Sequence, residues 1–279
     1  ALFQVCEQYV PDFTVLLHGG TNCKNHILNI INHQSLIATK ANRIVRAAKG
    51  RPVLEFGARR AQGADAAYYG ARAAIIGGCA GTSDLKTAKD FGTKAVGTMA
   101  HSWVQLFSDE YTAFKTYAET YPDSCMLLVD TFNVLKSGIP NAIKVFDEVL
   151  KPRGCRPLGI RIDSGDIAYL SRKARKMLDE AGLTECKIVA SNALDEYIIR
   201  DLLKQGACID AFGVGERLIT AASNPVFGGV YKLVSIYENG EEVTSYEPDG
   251  IKGHSETDIV YAGERYEAFE IFNYDGDLY

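Results

Sequence analysis

Short runs rich in apolar and β-branched residues alternate with helix-patterned segments along most of this chain of 279 residues. The runs fall near residues 52–56, 74–76, 95–97, 126–130, 158–162, 187–190, 209–214 and 230–236. Before the first of them, residues 29–48 carry Ile30, Ile31, Leu36, Ile37, Ile44 and Val45 close to helical spacing. Ser108 is a candidate cap for a helix reaching about Thr120, residues 167–181 form another closed by Gly182, and Asn192 can cap one over 193–205 that ends at Gly206. Eight strands alternating with helices predict a parallel α/β barrel of the (βα)8 kind, with a doubly wound open sheet as runner-up. After about Tyr237 the pattern changes to Glu, Gly, Asp and Tyr, with short alternating runs such as residues 268–272, as in a small β-rich segment. The expected organisation is therefore an atypical N-terminal segment over 1–26, the barrel over 27–237 and a β-rich C-terminal segment over 238–279.

The net charge of −5 argues against a general nucleic-acid binder, yet leaves room for a locally basic pocket with a small anionic substrate. Seven cysteines are scattered with no C-x-x-C spacing, so they read as reduced, buried small hydrophobes rather than as disulfides or a zinc site. No signal-peptide pattern and no bilayer-length apolar stretch are present, which makes the cytoplasm the expected compartment and a membrane an unexpected partner. The sequence starts at Ala1 rather than Met, and residues 2–17 resemble neither a targeting segment nor a domain opening, so a trimmed or partial chain is expected.

In such a barrel, chemistry gathers at the C-terminal ends of the strands. Glu55, Phe56, Gly57, Arg59 and Arg60 follow the first strand: arginines beside an aromatic can hold an anion and stack a flat ring, although a solvated turn would look the same. Gly81-Thr82-Ser83-Asp84 is small and hydroxyl-bearing, and equally ordinary turn chemistry. In Gly97-Thr98-Met99-Ala100-His101-Ser102, Thr98 can cap a helical turn and place His101 at a helix N-terminus, where a phosphorylated imidazole would be stabilised; a structural histidine is the alternative. Asp130-Thr131-Phe132-Asn133 closes the very apolar fourth strand. Arg161-Ile162-Asp163-Ser164-Gly165-Asp166 closes the fifth; its acids can accept from ribose hydroxyls or hold Mg²⁺, and Asp166 can also cap the next helix. In Phe212-Gly213-Val214-Gly215-Glu216-Arg217, the glycines would let backbone N–H groups approach a phosphate.

Taken in order, the helix Asn29–Lys40 with its His33-Gln34-Ser35, Phe56-Gly57 with Arg59-Arg60, Gly97–Ser102, Leu128–Thr131, Gly159–Asp166 and Ala211–Arg217 resemble the nicotinate phosphoribosyltransferases from about Ile27 to Leu233. The resemblance implies the irregular α/β barrel of the type II phosphoribosyltransferases. It also implies formation of nicotinate mononucleotide and pyrophosphate from nicotinate and phosphoribosyl pyrophosphate, with ATP as co-substrate and Mg²⁺ as cofactor. By the same resemblance, His101 matches the histidine phosphorylated by ATP, and Phe56 the aromatic that stacks on the pyridine. Arg59 and Arg161 match arginines near the pyridine and phosphoribosyl groups, and Asp130 and Asp163 the active-site acids. Gly213 and Gly215 match the loop around the 5′-phosphate, while Thr98, Ser164, Gly165, Asp166 and Glu216 complete the expected substrate-binding set. Ser83 stands where nicotinamide-using relatives carry an aspartate, and a hydroxyl there suits the carboxylate of nicotinate. The family forms homodimers, and a tyrosine of its N-terminal domain completes the neighbouring subunit's pyridine site; residues 1–26 do not resemble that domain. The alternatives are a nicotinamide or quinolinate phosphoribosyltransferase, or a truncated barrel that binds without turnover.

Overall fold

The computed structural model describes residues 22–229, 235–238 and 241–245. The chain divides into two compact units, one built on Ile37–Ser223 and the other on Leu2–Leu36 with Asn224–Tyr279. In the first unit the strands are β1 (Val53–Glu55), β2 (Gly81–Thr82), β3 (Met126–Leu128), β4 (Gly159–Ile162), β5 (Lys187–Ala190) and β6 (Ala211–Val214). They form one parallel sheet in the order β2-β1-β6-β5-β4-β3. The first strand thus lies beside the last, with Val53 opposite Phe212 and Glu55 opposite Val214. Ala95 adds a single parallel bridge to Thr82 outside β2. Read from β3 round to Ala95, the strands follow the cyclic order of a barrel, and among the described residues no ladder joins Ala95 to β3. This fits the irregular barrel that the resemblance implies; the eight strands read from the alternation are corrected to six strands and one bridge among the described residues of this unit.

The helices are α1 (Asn22–Ala47), α2 (Ala64–Ile76), α3 (Leu85–Asp90), α4 (His101–Gln105), α5 (Glu110–Thr120), α6 (Ile139–Val145), α7 (Ile167–Glu180), α8 (Glu196–Lys204) and α9 (Glu216–Ile219). Single π-helical turns, Val134–Gly138 and Phe146–Leu150, flank α6. Gly138 is needed there because a Cβ would overlap the carbonyl of Val129 at the end of the β3 run. The main core lies under β3, β4 and β5, where Leu127, Leu128, Ile160, Ile162 and Ile188 meet Phe114, Phe146, Leu150 and Leu178. All are buried, and their removal from water is the main stabilising term for this half of the barrel.

Several local expectations are corrected. Residues 74–76 are the last turn of α2, not a strand, and the second strand is Gly81–Thr82. The alanine-rich run packs Ala71, Ala73 and Ala74 into the core, and Gly77 and Gly78 stop it. Residues 95–97 contribute only the Ala95 bridge. The last expected strand, 230–236, lies partly outside the described residues; Ser235–Glu238 pairs antiparallel with Glu241–Ser245 in a separate two-stranded sheet. Asp109, not Ser108, caps α5 by accepting from Thr112 N–H at 2.8 Å. Asp195, not Asn192, caps α8, taking the N–H groups of Tyr197 and Ile198. Asn192 and Ala193 instead make the turn before it, both with positive φ.

Five cysteines among the described residues, Cys79, Cys125, Cys155, Cys186 and Cys208, are free thiols. Burial pushes Cys79, Cys125 and Cys186 up to about 12, so they remain protonated and inert at neutral pH. Among the described residues no helix is long and apolar enough to cross a membrane.

Candidate active site

The strand ends gather a cluster around Arg161. This residue sits in β4 with its side chain 15% exposed, and each nitrogen of its guanidinium has a partner. Nε–H donates to Ser191 Oγ at 2.8 Å, Nη1 to Thr98 Oγ1 at 2.7 Å, and Nη2 pairs with Asp163 Oδ1 at 3.0 Å. Its Cζ also lies 5.5 Å from the centroid of the Phe56 ring. One planar fork thus ties together the ends of β1, β4 and β5 and the segment after Ala95. Thr98 spends its hydroxyl on this contact; the N-cap residue of α4 is Ala100, with no side-chain cap, so the expected capping role of Thr98 is not what the structure has.

His101 is the first residue of α4, as expected for a histidine at a helix start. Its Nδ1 is 3.1 Å from Thr131 Oγ1, and its Nε2 faces two carboxylates, Asp163 Oδ2 at 3.5 Å and Asp130 Oδ1 at 3.9 Å. The Thr98–Arg161 and His101–Thr131 contacts span the part of the ring where no strand ladder runs, so side chains do there what backbone hydrogen bonds do elsewhere.

The two acids differ. Asp130 has a side chain only 1% exposed; its Oδ2 accepts from Asp163 N–H at 2.9 Å and Ser164 Oγ–H at 2.6 Å. Its Oδ1 is buried and has no hydrogen-bond partner, which leaves an acceptor aimed into the site. Asp163 is more open, at 23%. Burial alone would raise its carboxyl, but the Arg161 guanidinium, the Ser191 hydroxyl and His101 together hold it below the usual aspartate range. Gly165 has φ +78°, the left-handed turn that lets the chain reverse, and Asp166 caps α7 by accepting from Tyr169 N–H at 2.9 Å. Asp166 therefore caps the helix, a role compatible with its expected place in the substrate-binding set.

Gly213 lies inside β6 rather than in the loop after it. A Cβ there would overlap the edge of the Phe56 ring, so the absent side chain is what lets Phe56 lie over the strand. Gly215 is the N-cap residue of α9, and a Cβ on it would come within 2.9 Å of the Phe56 carbonyl. Glu216 opens α9 and pairs loosely with Arg60 at 3.7 Å, both exposed. Arg59 is exposed, in a 3-10 turn over Ala58–Arg60, and has no ion-pair partner among the described residues. Ser83 donates its N–H to the carbonyl of Glu55 at 2.8 Å. Asp84 next to it caps α3, accepting from Thr87 N–H at 2.8 Å.

Sequence reasoning gave no individual role to four residues. Thr131 and Ser191 are the hydroxyl partners of His101 and of Arg161 with Asp163. Glu55 and Lys40 are buried charges. Lys40 lies on the apolar stripe of α1 beside Ile37, Ala41 and Ile44, and pairs with Glu196 at 2.7 Å. A charge on an apolar stripe was the available signal.

A family model described as the nicotinate phosphoribosyltransferase family matches residues 52–252. The nicotinate phosphoribosyltransferase of Bacillus subtilis is 52% identical over 249 residues, covering 88% of this chain and 49% of that protein. The crystal structure of human nicotinic acid phosphoribosyltransferase superimposes with a TM-score of 0.64 at 27% identity, over 69% of this chain and 49% of that one. That of the nicotinate-nucleotide pyrophosphorylase from Pyrococcus furiosus gives 0.61 at 33% identity, over 72% and 50%. The chain thus spans about half the length of the curated relatives it matches. The family match covers every strand end that builds the cluster, from Phe56 to Gly215, and on that ground the chain belongs to the nicotinate phosphoribosyltransferase family.

Proposed function

We propose that this chain forms the barrel of a nicotinate phosphoribosyltransferase, which makes nicotinate mononucleotide and pyrophosphate from nicotinate and phosphoribosyl pyrophosphate with coupled ATP hydrolysis, in NAD salvage. The observation that carries the reading is the grouping of Phe56, His101, Asp130, Arg161 and Asp163 at one end of the sheet. The pyridine stacks on Phe56 near the Arg161 guanidinium. Exposed Arg59 and the Ser83 hydroxyl are the groups suited to its carboxylate. Because Asp84 is spent on capping α3, the loop presents a hydroxyl rather than a free acid, which favours nicotinate over nicotinamide.

In the transfer step the C1′–O bond breaks, pyrophosphate leaves with the electron pair, and the ring nitrogen closes on C1′. The developing positive charge on the sugar is stabilised by Asp130 and Asp163, which are held in place before the reaction and so need no reorganisation. Asp130 Oδ1, buried and unpartnered, and Asp163 are the carboxylates that fit Mg²⁺, which would neutralise the pyrophosphate; among the described residues no group of three acid, His or Cys side chains could hold a metal, in keeping with an ion bound mainly through phosphates. In the ATP half-reaction, Thr131 Oγ1 accepting from Nδ1–H leaves the lone pair on Nε2 of His101. That nitrogen bonds the γ-phosphorus as the bond to ADP breaks. A homodimer in the cytoplasm, with a second subunit closing the pyridine site, completes the reading.

The test is incubation with γ-labelled ATP and Mg²⁺, then peptide mapping, alongside product analysis with nicotinate, nicotinamide or quinolinate and phosphoribosyl pyrophosphate. Acid-labile phosphate on His101 and nicotinate mononucleotide are expected, and both should be lost in His101→Asn. Labelling that persists in that variant, or preferential use of nicotinamide or quinolinate, overturns the reading.

A further inference from the structure

We infer that Glu55 is a positioning residue that locks the ring-stacking loop at Phe56 to the carboxylate-reading loop at Ser83, and so sets specificity for the pyridine substrate. The inference rests on the nicotinate reading above.

Glu55 has no solvent exposure and, among the described residues, no ion-pair partner. Burial raises its carboxyl above the usual glutamate range, and the hydrogen bonds from Thr82 and Gly57 only partly oppose this. A buried acid without a cation is costly, and a valine like Val53 two residues earlier would satisfy the core. What the acid provides is connection. Oε1 accepts from Gly57 N–H, directly after Phe56, and Oε2 accepts from Thr82 Oγ1–H at 2.6 Å. Thr82 Oγ1 in turn accepts from Asp84 N–H at 3.0 Å, while the Glu55 carbonyl accepts from Ser83 N–H at 2.8 Å. Every acceptor of Glu55 thus goes to one of two loops, and Ser83 is held on both sides. A Cβ on Gly57 would overlap the side chain of Ile219 and Glu55 Oε1, so glycine is what lets the backbone come this close to the carboxylate.

That Oε2 accepts rather than donates decides the relay. The Thr82 hydroxyl already receives a proton from Asp84 N–H, so its own proton must go to an acceptor. Glutamine at 55 could still accept from Gly57 N–H, but would present an NH₂ group to Thr82, whose hydroxyl can accept it only by leaving its own proton without the acceptor it has now, which weakens the connection on the Ser83 side only.

The test is calorimetric binding of nicotinate, and separately of phosphoribosyl pyrophosphate with Mg²⁺, to the whole chain and to Thr82→Val, Thr82→Ser and Glu55→Gln. Thr82→Val and Glu55→Gln should weaken nicotinate by about tenfold, the loss of one hydrogen bond to a charged group. Phosphoribosyl pyrophosphate should change by less than about twofold, and Thr82→Ser, which keeps the hydroxyl, should bind nicotinate like the native chain. Should either variant fail to fold by circular dichroism, Glu55→Asp, which keeps the charge and shortens the reach, must show the same split. Equal losses for both ligands, unchanged nicotinate binding, or a failure of Thr82→Ser to restore it overturns the role of Glu55 alone. A native chain that binds neither ligand overturns the nicotinate reading, and this inference with it.

Discussion

Replacing Arg161 by lysine keeps the charge and removes the fork. The native guanidinium makes three polar contacts, to Ser191, Thr98 and Asp163, and lies over Phe56. An ammonium can keep one contact, and the Asp163 carboxylate is the strongest competitor for it. Two hydrogen bonds from a charged donor are then lost, about 1.5 kcal/mol each, together with about 0.5 kcal/mol of cation–π attraction. The side chain is 15% exposed, so water recovers part of this, and a net loss of about 2–3 kcal/mol is expected. Urea unfolding at neutral pH with an unchanged m-value measures it. Hydrogen exchange locates it: the Trp103 amide, which donates to the Ala100 carbonyl at 3.0 Å, should lose protection first, because Thr98 links its segment to β4. Destabilisation below about 0.5 kcal/mol, the range of neutral surface substitutions, would refute the view that this fork holds the strand ends together. So would unchanged protection of the Trp103 amide.

Gly213→Ala should push the Phe56 ring off β6 and cost about 1–3 kcal/mol as overpacking. It should also weaken aromatic ligands; a variant with native melting temperature and native nicotinate affinity would show that the ring does not need the vacant Cβ position. Asp195→Asn should change the acid limb of stability. Burial would raise the Asp195 carboxyl, but the Ile198 N–H, Arg217 and Lys40 hold it below the usual aspartate range. Its contribution is therefore complete above the unfolded aspartate value of about 4 and is lost as pH falls through the lower folded value. The variant keeps the cap but not the charge, so it should be less stable by about 1 kcal/mol at neutral pH and converge on the native curve in acid. Thermal melts from neutral pH into acid check this, and a constant gap would assign the effect to the cap instead.

Periodicity and strand-end motifs made much of the barrel legible. The runs at 158–162 and 187–190 are strands, and Arg161, Asp163, His101 and Asp130 come together as neighbours. What was illegible depends on packing. The run Ala73-Ala74-Ile75-Ile76 looks the same as a buried strand and as the end of a buried helix, and only its fit under the strands decides. Asn192 and Asp195 are both good caps by type; the choice falls to Asp195 because its carboxylate also meets Arg217 from α9, far along the chain. Gly213 looked like a phosphate-loop glycine; the further demand on it, room for the Phe56 ring, comes from a contact that only the folded sheet brings to it. Glu55 occupies a buried strand position where an apolar residue is the default, and nothing nearby in sequence shows that Thr82 will be its partner.

The pairing of Val53 with Phe212 sets a schedule for synthesis. β1 leaves the ribosome well before β6 and can dock on β2 within seconds, but its other edge waits for a strand about 160 residues later. At ordinary elongation rates that delay is on the order of 10–30 s. Throughout it, β1 presents an open parallel edge beside a buried carboxylate whose surroundings are unfinished. Nascent chains halted before residue 211 should therefore engage chaperones, and release should coincide with the emergence of β6.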